Sequence, residues 1–328
     1  MKQRFFIMAA AALTLAACSN DENMGMTDGP VAARITAGLS APTTRAIGTN
    51  WSGTEEIGVF VTNSTSGMDN LYKNVKYRIT NSGATGNFTA ADEDIYFQDA
   101  EEIVTFAAYA PYQESSAPNE FPGGLADGVV DVKTDNMNTA TDQEKIDFLF
   151  ASGAVASRRD NIVSFANATP ETPNDADDHS FHHKMAQLNI VFQVSINDGF
   201  AANQIFNGSF NLGGLVHDGT FNVTDGETAL TGEPLDNWDI SGCKYTDAAT
   251  TRTYSLILLP QELSSNPLNV AVTINGQTYR NNTTINQDLE PGNSYTYTIT
   301  VKKSRLVVSG CTITPWTSGS TGSGDAEM

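Results

Sequence analysis

Positive charge, cysteine and helical periodicity are all scarce in this chain of 328 residues, and each shortage removes a class of function. Lysine and arginine total 18 against 38 aspartates and glutamates, a formal charge of −20, which repels nucleic-acid phosphates and anionic headgroups. No nucleic-acid partner is expected. The acid is scattered among Thr, Asn, Ser and Gly, so it reads as a solubilising surface. The three cysteines contain no CxxC pair, and HExxH, P-loop, GxSxG and dinucleotide patterns are missing too. Carboxylates are so abundant that no two stand out as a glycosidase dyad. The chain is therefore expected to be no enzyme, with no catalytic residue, no metal and no cofactor. Its longest apolar run, Phe5–Ala17, is about 13 residues, short of the roughly 20 that a bilayer span needs.

Lys2 and Arg4 precede that run and Cys18 ends it, the layout of an export signal, so residues 1–17 stand outside the fold. Leu15-Ala16-Ala17-Cys18 resembles a bacterial lipobox, whose small residues admit the signal peptidase and whose thiol receives diacylglycerol. A diacylglycerol thioether with an amide-linked chain supplies at least two anchoring signals, the number stable attachment requires. Cys18 is the expected lipidation site, and the outer membrane an expected partner. Asp21 and Glu22 resemble the surface-export tag of lipoproteins in some Gram-negative anaerobes, which shifts the expected location to the cell surface. Without Lys2 and Arg4 the mature charge is about −22. Cys243 and Cys311 remain; in an oxidising compartment they either pair or stand as two buried thiols, and their sequence separation does not choose.

The mature chain alternates with period two, the mark of half-buried strands. From Leu188 to Ile196 every even position is apolar; Tyr295, Tyr297, Ile299 and Val301 repeat the pattern. Val270, Val272 and Ile274 lead through Asn275-Gly276 into Gln277–Tyr279, a hairpin whose two turn residues accept positive φ. Residues 57–61, 75–79, 95–97 and 103–109 are further strands between Gly, Asn and Ser clusters, and Asp142–Phe150 is either a helical turn or an alternating segment. Many short strands with turn chemistry between them predict an all-β fold of sandwiches. The segment 166–180, with two prolines and four acidic residues, offers nothing to a core and sets a domain boundary at its end. Two groups invite a site. His179, His182 and His183 beside Asp177 and Asp178 suggest a metal, but adjacent strand residues face opposite ways, and a polar strand entrance is the plainer reading. Trp51, Trp238 and Trp316 suggest sugar platforms, but they show no repeat and suit a core equally.

Seven stretches in order, "ITAGLSAPTTRA", "NWSGTEEIGVFV", "VTFAAYAPY", "KIDFLFASG", "FHHKMAQLNIVF", "LILLPQ" and "DLEPGNSYTYTITVKKSRLVVSGCTITPW", resemble the fimbrillin-like proteins, the lipoprotein pilins of type V fimbriae, from about Ile35 to Trp316. The resemblance implies two tandem transthyretin-like β-sandwiches. The chain then divides into signal peptide 1–17, lipidated linker 18–33, sandwiches 34–180 and 181–316, and a Ser/Gly tail 317–328. It also implies assembly by proteolysis. A protease cuts after an arginine in the first-strand region, and an extended segment of another subunit fills the groove that the released strand leaves. The matching bond here is Arg45-Ala46, with Arg34 a second candidate, and the donor candidate is the region of Leu306, Val308, Ile313 and Trp316, which could equally be the last strand of its own domain. Implied partners are other fimbrial subunits, with host or bacterial receptors or glycans as ligands of the fibre. A tip or accessory adhesin lies close to the stalk-subunit reading, and a surface glycan-binding lipoprotein is the alternative from another class.

Overall fold

The computed structural model describes residues 29–39, 50–124, 127–167 and 177–316. From Val31 onward the chain gathers into one compact unit. It is nearly all β, as the period-two pattern predicts, and among the described residues helix is confined to short turns such as Met68–Leu71 and Gln143–Lys145.

An eight-stranded sheet runs in the order β8 (Ile162–Phe165), β1 (Arg34–Gly38), β4 (Thr85–Ala90), β3 (Val75–Ile79), β2 (Glu56–Asn63), β5 (Ile103–Ala110), β7 (Leu149–Ser157), β9 (His182–His183). Its inward residues, among them Ile35, Val59, Phe106 and Phe165, enclose a first core together with Trp51, Tyr77, Phe88 and Phe181. Register shifts at Val61/Asn63 and Phe106/Ala107 bend the long strands, as bulges do. β5 is buried on both faces, which is why its sequence reads as a continuous apolar run. Residues 95–97, expected as a strand, make only an isolated bridge from Tyr96 to Ala32, although Ile95 and Phe97 are buried.

A second core lies between two further sheets. One is ordered β15 (Tyr245–Asp247), β16 (Thr251–Leu258), β10 (Ala186–Val194), β19 (Asn293–Lys302), β20 (Arg305–Val308), with β21 (Thr312–Pro315) also on β19. The other is β14 (Trp238–Asp239), β11 (Ser209–Gly213), β17 (Asn269–Ile274), β18 (Gln277–Arg280). Leu188, Ile190, Phe192, Phe210, Leu256, Val272 and Ile299 fill the space between them. The expected β17–β18 hairpin is present, with Asn275 and Gly276 at φ 52° and 79°. The strand expected to reach Ile196 stops at Val194. There the chain turns through Ile196–Asp198 to Gly199 at φ 82°, and Ile196 stays exposed.

A fourth, three-stranded sheet was not foreseen: β13 (Thr228–Leu230), β12 (Asp218–Asn222) and β6 (Val129–Lys133). β6 leaves the first sandwich's stretch of chain to pair antiparallel with β12, Asp218 opposite Lys133 and Asn222 opposite Val129. Around it lies a third core of Phe60, Tyr109, Phe148, Met185, Phe221, Ile257, Leu259 and Trp316, in which Phe148 and Phe221 stack at 4.5 Å. Asn138 lies in the loop that follows β6. Its amide donates to the carbonyls of Thr134 (2.7 Å) and Ile257 (2.8 Å), and its Oδ1 accepts from the Ile257 N–H (2.7 Å).

Candidate strand-exchange site

β1 occupies a slot with a neighbour on each side. It pairs antiparallel with β4, Ile35 opposite Phe88 and Ala37 opposite Gly86, and parallel with β8, Ile35 beside Val163 and Ala37 beside Phe165. Ala33, Ile35 and Ala37 point inward and are all but fully buried, while Arg34 is exposed and Thr36 half-buried. This is the alternation of a strand with one core face. Gly86 keeps the slot open opposite Ala37: a Cβ there would come within 2.7 Å of the Phe88 ring and 3.0 Å of Trp51. Trp51 closes the end of the slot, donating its Nε1 proton to the Ala37 carbonyl at 2.9 Å and meeting Phe88 and Phe181 edge to face.

Backbone bonds extend the hold at both ends. Ala33 donates to the Ile95 carbonyl, Arg34 to Asn161, and Phe181 to Gly38. β8 has no ladder partner other than β1 among the described residues. Removing β1 would therefore strip β8 of its sheet, leave β4 with an open edge, and expose Phe88, Val163, Phe165 and Trp51 to water. Unpaired backbone beside an apolar groove is the template on which another strand adds.

The sequence candidates fall in different places. Cys18, Arg45, Ala46 and the tail 317–328 lie outside the described residues. Arg34 sits within β1 itself, beside Ile162 of β8, its N–H on the Asn161 carbonyl. The donor candidates lie along one edge of the chain's own second sandwich. β20 pairs with the far half of β19, Val308 opposite Ile299, and β21 with the near half, Ile313 opposite Tyr295. Leu306 is buried and Val308 half-buried in the second core, whereas Ile313 is 45% exposed. All four residues of β21 are exposed; what ends the strand is Trp316, 6% exposed, its N–H on the Gly292 carbonyl and its indole stacked on His183 at 4.2 Å. The segment thus completes its own sheet at an edge, and among the described residues its ladder is to β19 alone.

Cys243 and Cys311 are both free thiols. Cys243 is buried in the second core and Cys311 packs at its margin. Cys243 stands beside Tyr254 and Cys311 beside Tyr297, and these tyrosines flank Ile190 from the strands on either side. Burial pushes the Cys243 thiol up to about 12, so it stays protonated. The three histidines serve three separate contacts: His179 Nδ1 with the Ser152 carbonyl at 3.0 Å, His182 Nε2 with Asp178 at 3.2 Å, and His183 Nδ1 with Asp147 at 2.7 Å. Trp51, Trp238 and Trp316 are core residues, each at or below 6% exposure.

Two properties escaped sequence reasoning. Asn138 gave no signal, because an asparagine in a loop looks alike whether buried or not. The slot itself was legible in principle from Ala33-Ile35-Ala37 alternating with Arg34 and Thr36, but five residues are a short run.

Comparison with known proteins agrees with the architecture. A solved candidate cell-adhesion protein from Bacteroides ovatus is similar at 27% identity, with a TM-score of 0.66, over 88% of this chain and 98% of that one. A second, from Bacteroides uniformis, is 24% identical with a TM-score of 0.63, over 89% of this chain and all of the other, and shows the fold alone. No curated protein matches. The model of the fimbrillin-like family matches residues 44–316, from just before the candidate cleavage bond to the tryptophan that ends β21. By that match, over most of its length, the chain belongs to the fimbrillin-like family.

Proposed function

We propose that the chain is a cell-surface fimbrial subunit precursor, exported as a lipoprotein on Cys18, cut at Arg45-Ala46 and built into an adhesive fibre by donor-strand exchange, with no catalytic role. The observation that carries this reading is β1. A short strand with three inward residues sits between β4 and β8, and Arg45 follows seven residues after its last residue, Gly38. A cut there would sever β1 from everything downstream and leave it held by hydrogen bonds and three small or medium apolar side chains. The family membership and the candidate cell-adhesion protein from Bacteroides ovatus support the adhesive role. Other subunits are its partners; head-to-tail strand donation between copies gives an open filament rather than a closed ring. The glycan-binding alternative loses its chief support, because none of the three tryptophans presents an open face.

The test uses the soluble chain beginning after Cys18, treated with trace Arg-specific protease and followed by N-terminal sequencing and gel mobility. A single new N-terminus at Ala46 with SDS-resistant oligomers growing afterwards is the expected result. Cleaved monomer that never assembles would remove the stalk role and favour a tip or accessory subunit.

A further inference from the structure

β10 opens the second sandwich and β19 is its last long strand. The two lie side by side in parallel, from Gln187 beside Ser294 to Val194 beside Val301. The chain therefore enters and leaves this ladder at opposite ends, with Ala186 at the near end of β10 and Lys302 at the far end of β19. Tension on a fibre subunit runs between its first sandwich and the chain beyond β19. Resting on the fibre-subunit reading above, we propose that the β10–β19 ladder is a mechanical clamp, through which the second sandwich carries the tension of the fibre.

The bonds of a parallel ladder cross between the strands at even spacing, so a pull on Lys302 against Ala186 strains them together and none opens first. β20 and β21 do not change the point of loading. Both run antiparallel to β19 and double back, and Trp316 ends on the Gly292 carbonyl, where Gly292 in turn donates to Met185 beside the entry of β10. Pulled from that end they peel from β19 pair by pair, and the load then arrives at Lys302. The other parallel ladder among the described residues, β1 with β8, spans only Arg34 to Ala37, and a cut at Arg45 severs β1 from the chain.

Side chains on both faces bar the strands from sliding. Inward, Leu188, Ile190 and Phe192 lie beside Tyr295, Tyr297 and Ile299, all within the second core. A slip of one residue would turn one set towards solvent, and a slip of two would drag the tyrosines about 6.6 Å past packed neighbours. Outward, polar clasps join the strands at each end. The Ser294 hydroxyl donates to Gln187 Oε1 at 2.8 Å and accepts from Asn189 Nδ2 at 2.8 Å, and Gln193 Nε2 donates to the Thr300 hydroxyl at 2.9 Å. Ser294 is 7% exposed, so water does not readily replace its partners.

The experiment pulls single uncut chains, each beginning after Cys18 and carrying Cys311→Ser, by pairs of introduced cysteines; Cys243 is buried and does not compete. Lys184→Cys with Lys303→Cys loads the ladder from opposite ends, whereas Lys184→Cys with Glu290→Cys loads both strands from the same end. Melting temperatures are measured first. At one pulling speed the opposite-end pair should rupture at about three times the force of the same-end pair, since the ladder yields all at once in one case and stepwise in the other. Gln187→Ala with Gln193→Ala should lower the opposite-end force by about a third and leave the same-end force unchanged, because it removes the clasps. Val272→Ala, buried in the facing sheet, should lower the melting temperature but not the opposite-end force, because forced unfolding reads the barrier rather than the overall stability. Equal forces in the two geometries would overturn the clamp. So would a force that follows the melting temperature across the variants whichever strand they touch, which would assign the strength to the core as a whole. The chains are uncut monomers, so a cut chain that never assembles would sink the fibre reading and leave the clamp to be decided by these forces alone.

Discussion

At the scale of single residues, Glu102 shows how this chain uses its excess acid. The carboxylate lies across the loop after β2, where Ser64 and Thr65 donate hydroxyls at 2.9 and 3.0 Å, the Ser66 N–H donates at 3.1 Å, and the Thr65 N–H and Ser66 hydroxyl complete the set. Partial desolvation works to raise its pKa, but the hydrogen bonds from Ser66, Thr65 and Ser64 win and hold it at about 2. The folded value is below the unfolded one, near 4.5, so the stabilisation is complete above about pH 4.5 and is lost as pH falls towards 2. Glu102→Gln should lack that acid-range loss. Amide exchange at Thr65 and Ser66, compared for the two proteins at pH 6 and pH 3, checks it: the wild type should show strongly pH-dependent protection, the variant little. No sequence pattern marked Glu102, because its partners lie about 36 residues away in a loop whose position only the fold sets. By contrast, the residues on the alternating faces of β10 and β19 were legible, because a period of two needs only neighbours to be read.

At the scale of elements, the contacts between the sandwiches depend on a few buried polar groups. Asn138 is 1% exposed and satisfies both backbone groups of Ile257. Asn138→Ala would leave that N–H and carbonyl unpaired in the interior, costing about 2–6 kcal/mol at roughly 1–3 kcal/mol per orphaned group. Urea unfolding should show it as a lower midpoint with an unchanged slope; a loss under 0.5 kcal/mol would mean that water replaces the amide. His217, next to β12, gives a second measure of the same region. Its Nδ1 meets the Thr134 hydroxyl at 2.8 Å, Trp238 packs edge-on against the ring, and Nε2 is buried without a partner. Burial lowers its pKa from 6.5 to about 4 against the pull of Asp135 and Asp218, so the folded ring is neutral. Unfolding lets it take a proton. Its contribution is therefore whole above about pH 6.5 and declines as pH falls to 4, by about 3 kcal/mol at 1.36 kcal/mol per unit. Denaturant midpoints at pH 7 and pH 4 should differ by less in His217→Gln than in the wild type, and a direct titration of the His217 ring should fall near 4. The β17–β18 hairpin was readable from Asn275-Gly276 alone, whereas β6 pairing with β12 was not: the two strands lie some 85 residues apart, and nothing local records the register.

At the scale of the molecule, the third core decides whether the chain behaves as one body or two. Phe60 and Tyr109 come from the first sheet, Ile257 and Leu259 from the second half, and Phe148 and Phe221 stack between them. These residues are scattered along the chain, and although Phe60 and Tyr109 lie in segments that read as strands, nothing local records that they meet Phe221, Ile257 and Leu259 in one core. Strand exchange makes this arrangement useful. When β1 leaves, the first core loses Ala33, Ile35 and Ala37 and the ladder partner of β8, yet β5 keeps its other face in the third core and stays attached to the second sandwich. The open slot would then persist in a body that is otherwise folded, long enough to meet a donor. The intact chain should accordingly unfold in a single calorimetric transition, because neither half can open without exposing the shared core. Phe148→Ala with Phe221→Ala removes the stacked pair, each truncation costing about 3–5 kcal/mol, and should split the endotherm in two. The same double variant, once cut at Arg45, should assemble less than the wild type even though slot and donor are untouched. If it unfolds in one step, or assembles as fast as the wild type, the third core is not what keeps the vacated slot in shape, and the slot's persistence must come from the first sandwich alone.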